Sequence, residues 1–255
     1  MARQHRRDGT MQATSTTPAG SSISTQEIAR FDALASRWWD PDGPMRPLHR
    51  MNPLRVGWID RRLRRRAGTR LRVLDLGCGA GLASEALAAL GHDVLGVDAA
   101  PEAITAARAH QATHPAAAHA GTLSYRCSSA EALLQEGERF DAVIALEVIE
   151  HVAEPDGFLD LLRGLLRPDG VIVISTLNRT LRSLATAKIG AEYVLRLLPA
   201  GTHDWRRFVT PAELGRSAHA AGLRVADLAG MVPGPQGWRE SRDTAVNYIA
   251  LLESQ

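Results

Sequence analysis

Three groups of residues in this 255-residue chain have the types and spacing to do chemistry. The first is the stretch Leu74-Asp75-Leu76-Gly77-Cys78-Gly79-Ala80-Gly81, an apolar run passing straight into Gly-x-Gly-x-Gly. Glycine permits positive φ and puts no Cβ between the backbone and a ligand. The second is Asp98, which ends the next apolar run 21 residues after Gly77. That is close to the ~20-residue offset at which a carboxylate accepts hydrogen bonds from ribose hydroxyls. Dinucleotide sites favour Gly-x-Gly-x-x-Gly, with a pyrophosphate at the helix N-terminus. Here the third glycine comes one residue early, and Asp75 precedes the loop. An acid there repels a pyrophosphate and suits a cationic amino-acid cofactor. The third group is Glu147, Glu150 and His151, at i, i+3 and i+4. In a helical turn they would share one face, able to hold a divalent ion or to offer His151, with Glu147, for proton transfer. Both alternatives stay open at this point.

A regular scaffold must position these groups. Short apolar runs at 71–76, 93–97, 123–126, 140–146 and 171–175 alternate with helical segments near 81–90, 101–112, 129–135 and 156–167. This order predicts a doubly wound, mostly parallel α/β sheet covered on both faces. Two late strands, near 223–229 and 244–251, would complete it, and Pro211 to Ala221 reads as a helix with proline at N1. Ahead of the core, residues 27–67 form a helical extension. Ile28, Phe31, Leu34 and Ala35 share a helical face there, Trp38-Trp39-Asp40-Pro41 makes a turn, and a second helix starts near Asn52-Pro53. Residues 177–210 read as a helical insertion after the fifth strand.

The bulk properties exclude several classes. A net charge of +2 is too mild to imply nucleic acid, and the basic run Arg61 to Arg66 reads as a solvated helix face. Two cysteines make neither a disulfide framework nor a metal knuckle, which fits a reducing compartment. No apolar run approaches the ~20 residues a spanning helix needs. Residues 1–26, rich in Arg, Ser, Thr and Ala, read as a disordered tail, with an organellar transit peptide as the alternative.

The glycine loop, Asp98, Phe140-Asp141-Ala142-Val143-Ile144 and Leu166-Arg167-Pro168-Asp169-Gly170 together resemble the class I S-adenosylmethionine-dependent methyltransferases. Such enzymes usually contact adenine after the third strand, here at Ser129 and Ala130. Several strings narrow the likeness: Phe31 to Asp40, Pro47 to Arg55, Glu147-Val148-Ile149-Glu150-His151-Val152, Ser175 to Arg179, Pro199 to Trp205, and Val246-Asn247-Tyr248. Over residues 27 to 250 the chain resembles the ubiquinone-biosynthesis O-methyltransferases. The resemblance implies that Arg55, Gly77, Asp98 and Leu146 bind S-adenosylmethionine, with Asp75, Gly79 and Gly81 completing the loop. A guanidinium at Arg55 can pair bidentately with the cofactor's carboxylate. One departure is visible. The family's Tyr-Asn-Pro before the last strand is replaced by Gly230-Met231-Val232-Pro233-Gly234-Pro235, which puts the pocket floor in doubt.

The same resemblance implies methyl transfer to polyprenylated catechols, at an early step and at the late demethylated ubiquinol step of ubiquinone synthesis. A phenol with pKa near 10 must be deprotonated or polarised for this. The resemblance supports Mg²⁺ held by Glu147, Glu150 and His151, although many metal-free relatives keep an acid or histidine here. The segment Ser175 to Ala200, with Arg179, Arg182, Lys188 and Arg196 among leucines, fits a peripheral contact with anionic membrane. That places the protein on the cytoplasmic face of the inner membrane, with the mitochondrial matrix side as the alternative and other ubiquinone-biosynthesis proteins as further partners. Competing readings are another small-molecule methyltransferase, a nicotinamide-dependent oxidoreductase and a non-catalytic binding module.

Overall fold

A computed structural model describes residues 25–67, 70–115, 117, 120–186 and 204–255. Most of the expected N-terminal tail and the middle of the expected cap, 187–203, lie outside the described residues.

The five expected core strands form: β1 (Arg72–Leu76), β2 (Asp93–Asp98), β3 (Leu123–Cys127), β4 (Phe140–Leu146) and β5 (Leu166–Leu177). They pair in parallel in the order β3-β2-β1-β4-β5. Strand β5 starts earlier than its apolar run, because Leu166 already pairs with Phe140. A register shift carries the polar Arg167-Pro168-Asp169-Gly170 across the interruption, with Asp169 at φ 63°. Three antiparallel strands extend the sheet beyond β5 as β8-β6-β7.

All three differ from expectation. Strand β6 (Leu223–Gly234) runs five residues longer than expected, and β7 (Gly237–Ser241) was not foreseen. The Gly230-Pro235 stretch that departs from the family pattern is the outer half of this β6–β7 hairpin. Pro233 is accommodated because it sits near the sheet edge, where a missing N–H costs little. Strand β8 covers Asn247–Ser254, slightly later than expected.

Helices cover both faces, as the unbroken burial of β4 and β8 requires. On one side α5 (Ala130–Gln135), α6 (Pro155–Gly164) and α8 (Pro211–Ala220) bury Leu133, Phe158, Leu162 and Leu214 against the sheet. On the other, α2 (Arg46–Ala67) and α3 (Leu82–Ala89) bury Trp58, Ile59, Leu63 and Leu87. Helix α4 (Pro101–Thr113) packs Ile104 and Ala107 on Tyr125 of β3. Each fully buried Leu or Phe of this kind contributes about 1.5–3 kcal/mol.

Helix α2 begins at Arg46, six residues before the expected start. Pro47 falls in the first turn, where its missing N–H is not needed, and the helix continues through Pro53. Its basic run is tied down rather than open. Arg62 lies over the Trp58 ring and pairs with Asp227 and Glu240, Arg61 pairs with Glu240, and Arg64 with Asp60. The two glutamate pairs pin α2 to the β6–β7 hairpin. Helix α1 (Thr25–Asp32) packs outside this core against α4. Of the expected cap, the described part is a short helical turn, α7 (Leu181–Ser183), capped by Thr180.

Candidate active site

The chain reverses its winding direction between β1 and β4, and there the carboxyl ends of the strands open into a groove. Gly77 and Cys78 donate their N–H groups to Val97 O at 2.7 and 3.1 Å, fastening the loop to β2. Gly79 N–H donates to Asp98 Oδ2 at 2.8 Å, and Ala100 N–H to Oδ1 at 2.9 Å. Asp98 thus sets the loop's shape before any ligand arrives. Burial pushes its carboxyl up from the ordinary range, partly offset by these backbone donors.

The glycines are required by space as well as by φ. A Cβ on Gly77 would fall 2.5 Å from Val148 Cγ2, and one on Gly79 2.1 Å from Trp38 Cζ2. Gly81, at φ 90°, caps α3. The Trp38-Trp39 pair, which the sequence marked only as bulky residues in a turn, clamps this loop. The Trp38 ring lies on Gly79, and Trp39 Nε1–H donates to Ala80 O at 3.0 Å.

Arg55, Asp75, Gly77, Asp98, Leu146, Glu147 and His151 all line one cavity at the groove's open end. Arg55 is 3% exposed, and its Nε has no partner. Burial pulls its guanidinium down, while Glu147 and Asp75 raise it. Trp38 Nε1, in the same cavity, is also buried and unpartnered. Two orphaned donors here suit an anionic group such as an amino-acid carboxylate. Asp75 accepts Ser84 Oγ–H at 2.5 Å, and burial pushes its pKa up to about 6. A cationic amine beside it would favour the ionised form.

Ser129 and Ala130 line an adjoining cavity that shares Gly77, Asp98, Ala99 and Val148 with the first. Ser129 Oγ caps α5 by accepting Ala132 N–H at 3.3 Å, so its side chain is already engaged. Through these four shared residues the two cavities adjoin as one groove.

The acidic-histidine set does not share one face. Glu147 adopts φ 57° ahead of a 3₁₀ turn spanning Ile149–His151, so the α-helical spacing rule does not apply. Left-handed backbone costs about 1–2 kcal/mol for a non-glycine residue. It is held by Glu147 N–H donating to Ser175 O and Ser175 Oγ–H donating to Glu147 Oε1 at 2.7 Å. Glu147 and His151 face the cofactor-side cavity, whereas Glu150 lines a different one beside Arg179 and Glu213. Glu150 accepts Thr176 Oγ1–H at 2.9 Å, and burial with Glu147 nearby pushes its pKa up to about 7. Among the described residues no three His, Cys, Asp or Glu side chains are grouped to hold a metal ion. The donor set as placed therefore does not form a three-ligand site.

On α1, Phe31 lines the groove, and Asp32 beside it ties the helix to α4. Phe31 lies edge-on to His151, with ring centroids 5.5 Å apart at 86°. Asp32 Oδ1 accepts Glu102 N–H at 3.0 Å. The amphipathic face of α1 marked Phe31 for burial but not its partner, and no sequence signal marked Asp32.

A family model described as a methyltransferase domain matches residues 49–228. The groove, its glycine loop and the acid at the end of β2 belong to an S-adenosylmethionine-dependent methyltransferase of class I fold. A solved methyltransferase of this fold from Streptomyces caelestis, CcbJ, superposes with TM-score 0.62 at 19% identity, covering 89% of this chain and 98% of that one. The magnesium protoporphyrin IX methyltransferase of Synechocystis PCC 6803, solved with bound SAH, gives TM-score 0.54 at 23% identity over 81% and 83%. A ubiquinone biosynthesis O-methyltransferase of Azorhizobium caulinodans is 49% identical over 91% of this chain and 94% of its own length. The chain belongs to the ubiquinone biosynthesis O-methyltransferase family.

Proposed function

We propose that this enzyme moves the methyl group of S-adenosylmethionine to a catechol-type hydroxyl of polyprenylated ubiquinone precursors, serving both the early and the late O-methylation. The observation that carries this is the cavity in which His151 and Glu147 meet the cofactor groove beside the apolar side chains of Ile28, Phe31 and Leu48. The bound cofactor supplies an electrophilic methyl on a sulfonium. Arg55, with Trp38, would hold its carboxylate, Asp75 its ammonium, and Asp98 the ribose hydroxyls. Gly77 would give the backbone close approach, Ser129 and Ala130 would border the base, and Leu146 would add an apolar contact.

The chain's own contribution is then alignment and one proton. In-line displacement depends on holding oxygen, carbon and sulfur in register. His151 Nδ1 or Nε2 accepts the phenol proton as the oxygen attacks, and general-base assistance of this kind contributes about 10²–10⁴-fold. Glu147 stabilises the imidazolium that forms. Because Glu150 opens to the other cavity, the proton transfer proposed here is written without a metal. Turnover unchanged by a chelator supports this; loss with a chelator and recovery with Mg²⁺ would restore the metal.

The substrate's tail motivates a peripheral membrane position on the cytoplasmic face. No helix among the described residues is long and apolar enough to cross a membrane. Leu181, at the start of the proposed cap, is 78% exposed. Liposome flotation of the wild type against a 179–198 deletion tests this, and equal flotation would sink it. The activity itself is tested by methyl transfer to prenylated catechol and to demethylated ubiquinol analogues. Turnover of one but not the other would remove the dual role.

A further inference from the structure

We infer that Phe31 is a positioning and specificity residue for the acceptor, holding the His151 imidazole and walling the pocket so that it selects a flat aromatic ring. The inference rests on the methyl-transfer reading above. Helix α1 owes its place to few attachments. Ile28 packs on Ala99, Ala100 and Ala103 at the start of α4. Asp32 supplies from another helix the N-terminal cap that Ala100, at the N-cap of α4, has no side chain to give. These two anchors lie next to Asp98, so α1 is registered against the cofactor groove rather than against the distant core.

Phe31 is thereby fixed between two rings. It stands edge-to-face with His151 and tilted against Trp38, at 6.4 Å and 50°. Aromatic pairs favour such tilted and edge-to-face arrangements. Trp38 is itself seated on Gly79, so the sequence Gly79–Trp38–Phe31–His151 links the cofactor loop to the proposed base through packed groups. Ile28, Phe31, Trp38 and Leu48 of the cavity's apolar lining come from the N-terminal extension, facing Leu82, Leu146 and Val148 from the core. A ring lying along that wall would bring its hydroxyl to His151. An aliphatic alcohol would gain no stacking there.

The test uses the full-length enzyme with a short-tailed prenylated catechol. Phe31→Leu keeps an apolar side chain and removes the ring, while Phe31→Tyr keeps the ring. Affinity for S-adenosylhomocysteine is measured by calorimetry beside kcat and KM. We expect Phe31→Leu to lose about tenfold in kcat, equivalent to about 1.4 kcal/mol. Cofactor-product affinity should stay within about threefold of wild type, and Phe31→Tyr should retain most of the activity. A Phe31→Leu enzyme with wild-type kcat and KM would overturn the inference alone. So would a loss confined to S-adenosylhomocysteine affinity, since Phe31 would then only close the cofactor groove. Wild-type enzyme that turns over no catechol would overturn the acceptor reading and this inference with it.

Discussion

The ring of Trp38 occupies the space that a side chain at Gly79 would need: a Cβ there would lie 2.1 Å from Trp38 Cζ2. Gly79 also has φ 54° and donates its N–H to Asp98. An entry segment and a cofactor loop thus meet at a single joint, in which neither residue can change alone.

Gly79→Ala should therefore weaken S-adenosylhomocysteine binding by at least about tenfold, or about 1.4 kcal/mol. Part of that loss is steric, so adding Trp38→Ala should recover some of it, making the pair non-additive. Calorimetric titration of the two single variants and the double variant measures this. Strict additivity would mean that the ring and the loop are independent.

Asp75 links cofactor binding to pH. Its carboxyl is raised from 3.8 to about 6 by burial. The folded state therefore binds more protons than the unfolded state between those values. Stability from this group is fully present below about pH 4 and is lost as pH rises through 6, a penalty of roughly 3 kcal/mol in the ligand-free protein. Asp75→Asn should raise the ligand-free melting temperature at pH 8 more than at pH 4. The same change should weaken S-adenosylmethionine, whose ammonium would lose its carboxylate. A melting temperature that rises equally at both pH values would remove the assignment of Asp75 as a buried, strained carboxylate.

Asp32→Ala removes the cap that Glu102 N–H receives from α1. Loss of such a cap typically costs about 1 kcal/mol. Denaturant unfolding should show a loss of that order. An unchanged midpoint would mean that water replaces the carboxylate at no cost.

The doubly wound core was legible because its central strands β1, β4 and β5 are largely buried and read as apolar runs, with the edge strand β3 marked more weakly by its exposed Ser124. Gly77, Asp75, Asp98 and Leu146 line one cavity because strand ends fix where each must lie, and Arg55 reaches it from within α2, while Gly79 and Gly81 lie under Trp38 and Tyr125. Other features were not legible for definite reasons. Helix α2 begins before its apolar pattern is established, since Pro47 at a helix start carries no periodic signal. The β6–β7 hairpin has the composition of a loop, and only its pairing with β8 and its ion pairs to α2 make it a sheet edge. The Glu147–Glu150–His151 spacing suggested one helical face. The left-handed conformation of Glu147 divides the set between two cavities, and no residue-type rule announces positive φ at a glutamate. Phe31 and Asp32 act across large sequence separations, which periodicity cannot reveal.

On the proposed role of the imidazole as the acceptor's base, His151→Asn should lower kcat by about 10²–10⁴-fold while leaving S-adenosylhomocysteine affinity near wild type. A comparable fall in cofactor-product affinity would place His151 among the cofactor contacts instead.

The most direct measurement is transfer of an isotopically labelled methyl from S-adenosylmethionine to a short-tailed prenylated catechol, with the product identified by mass spectrometry. The account predicts a singly O-methylated ring formed by the wild-type enzyme and nearly abolished in His151→Asn. Binding of S-adenosylmethionine with no labelled catechol product would contradict it.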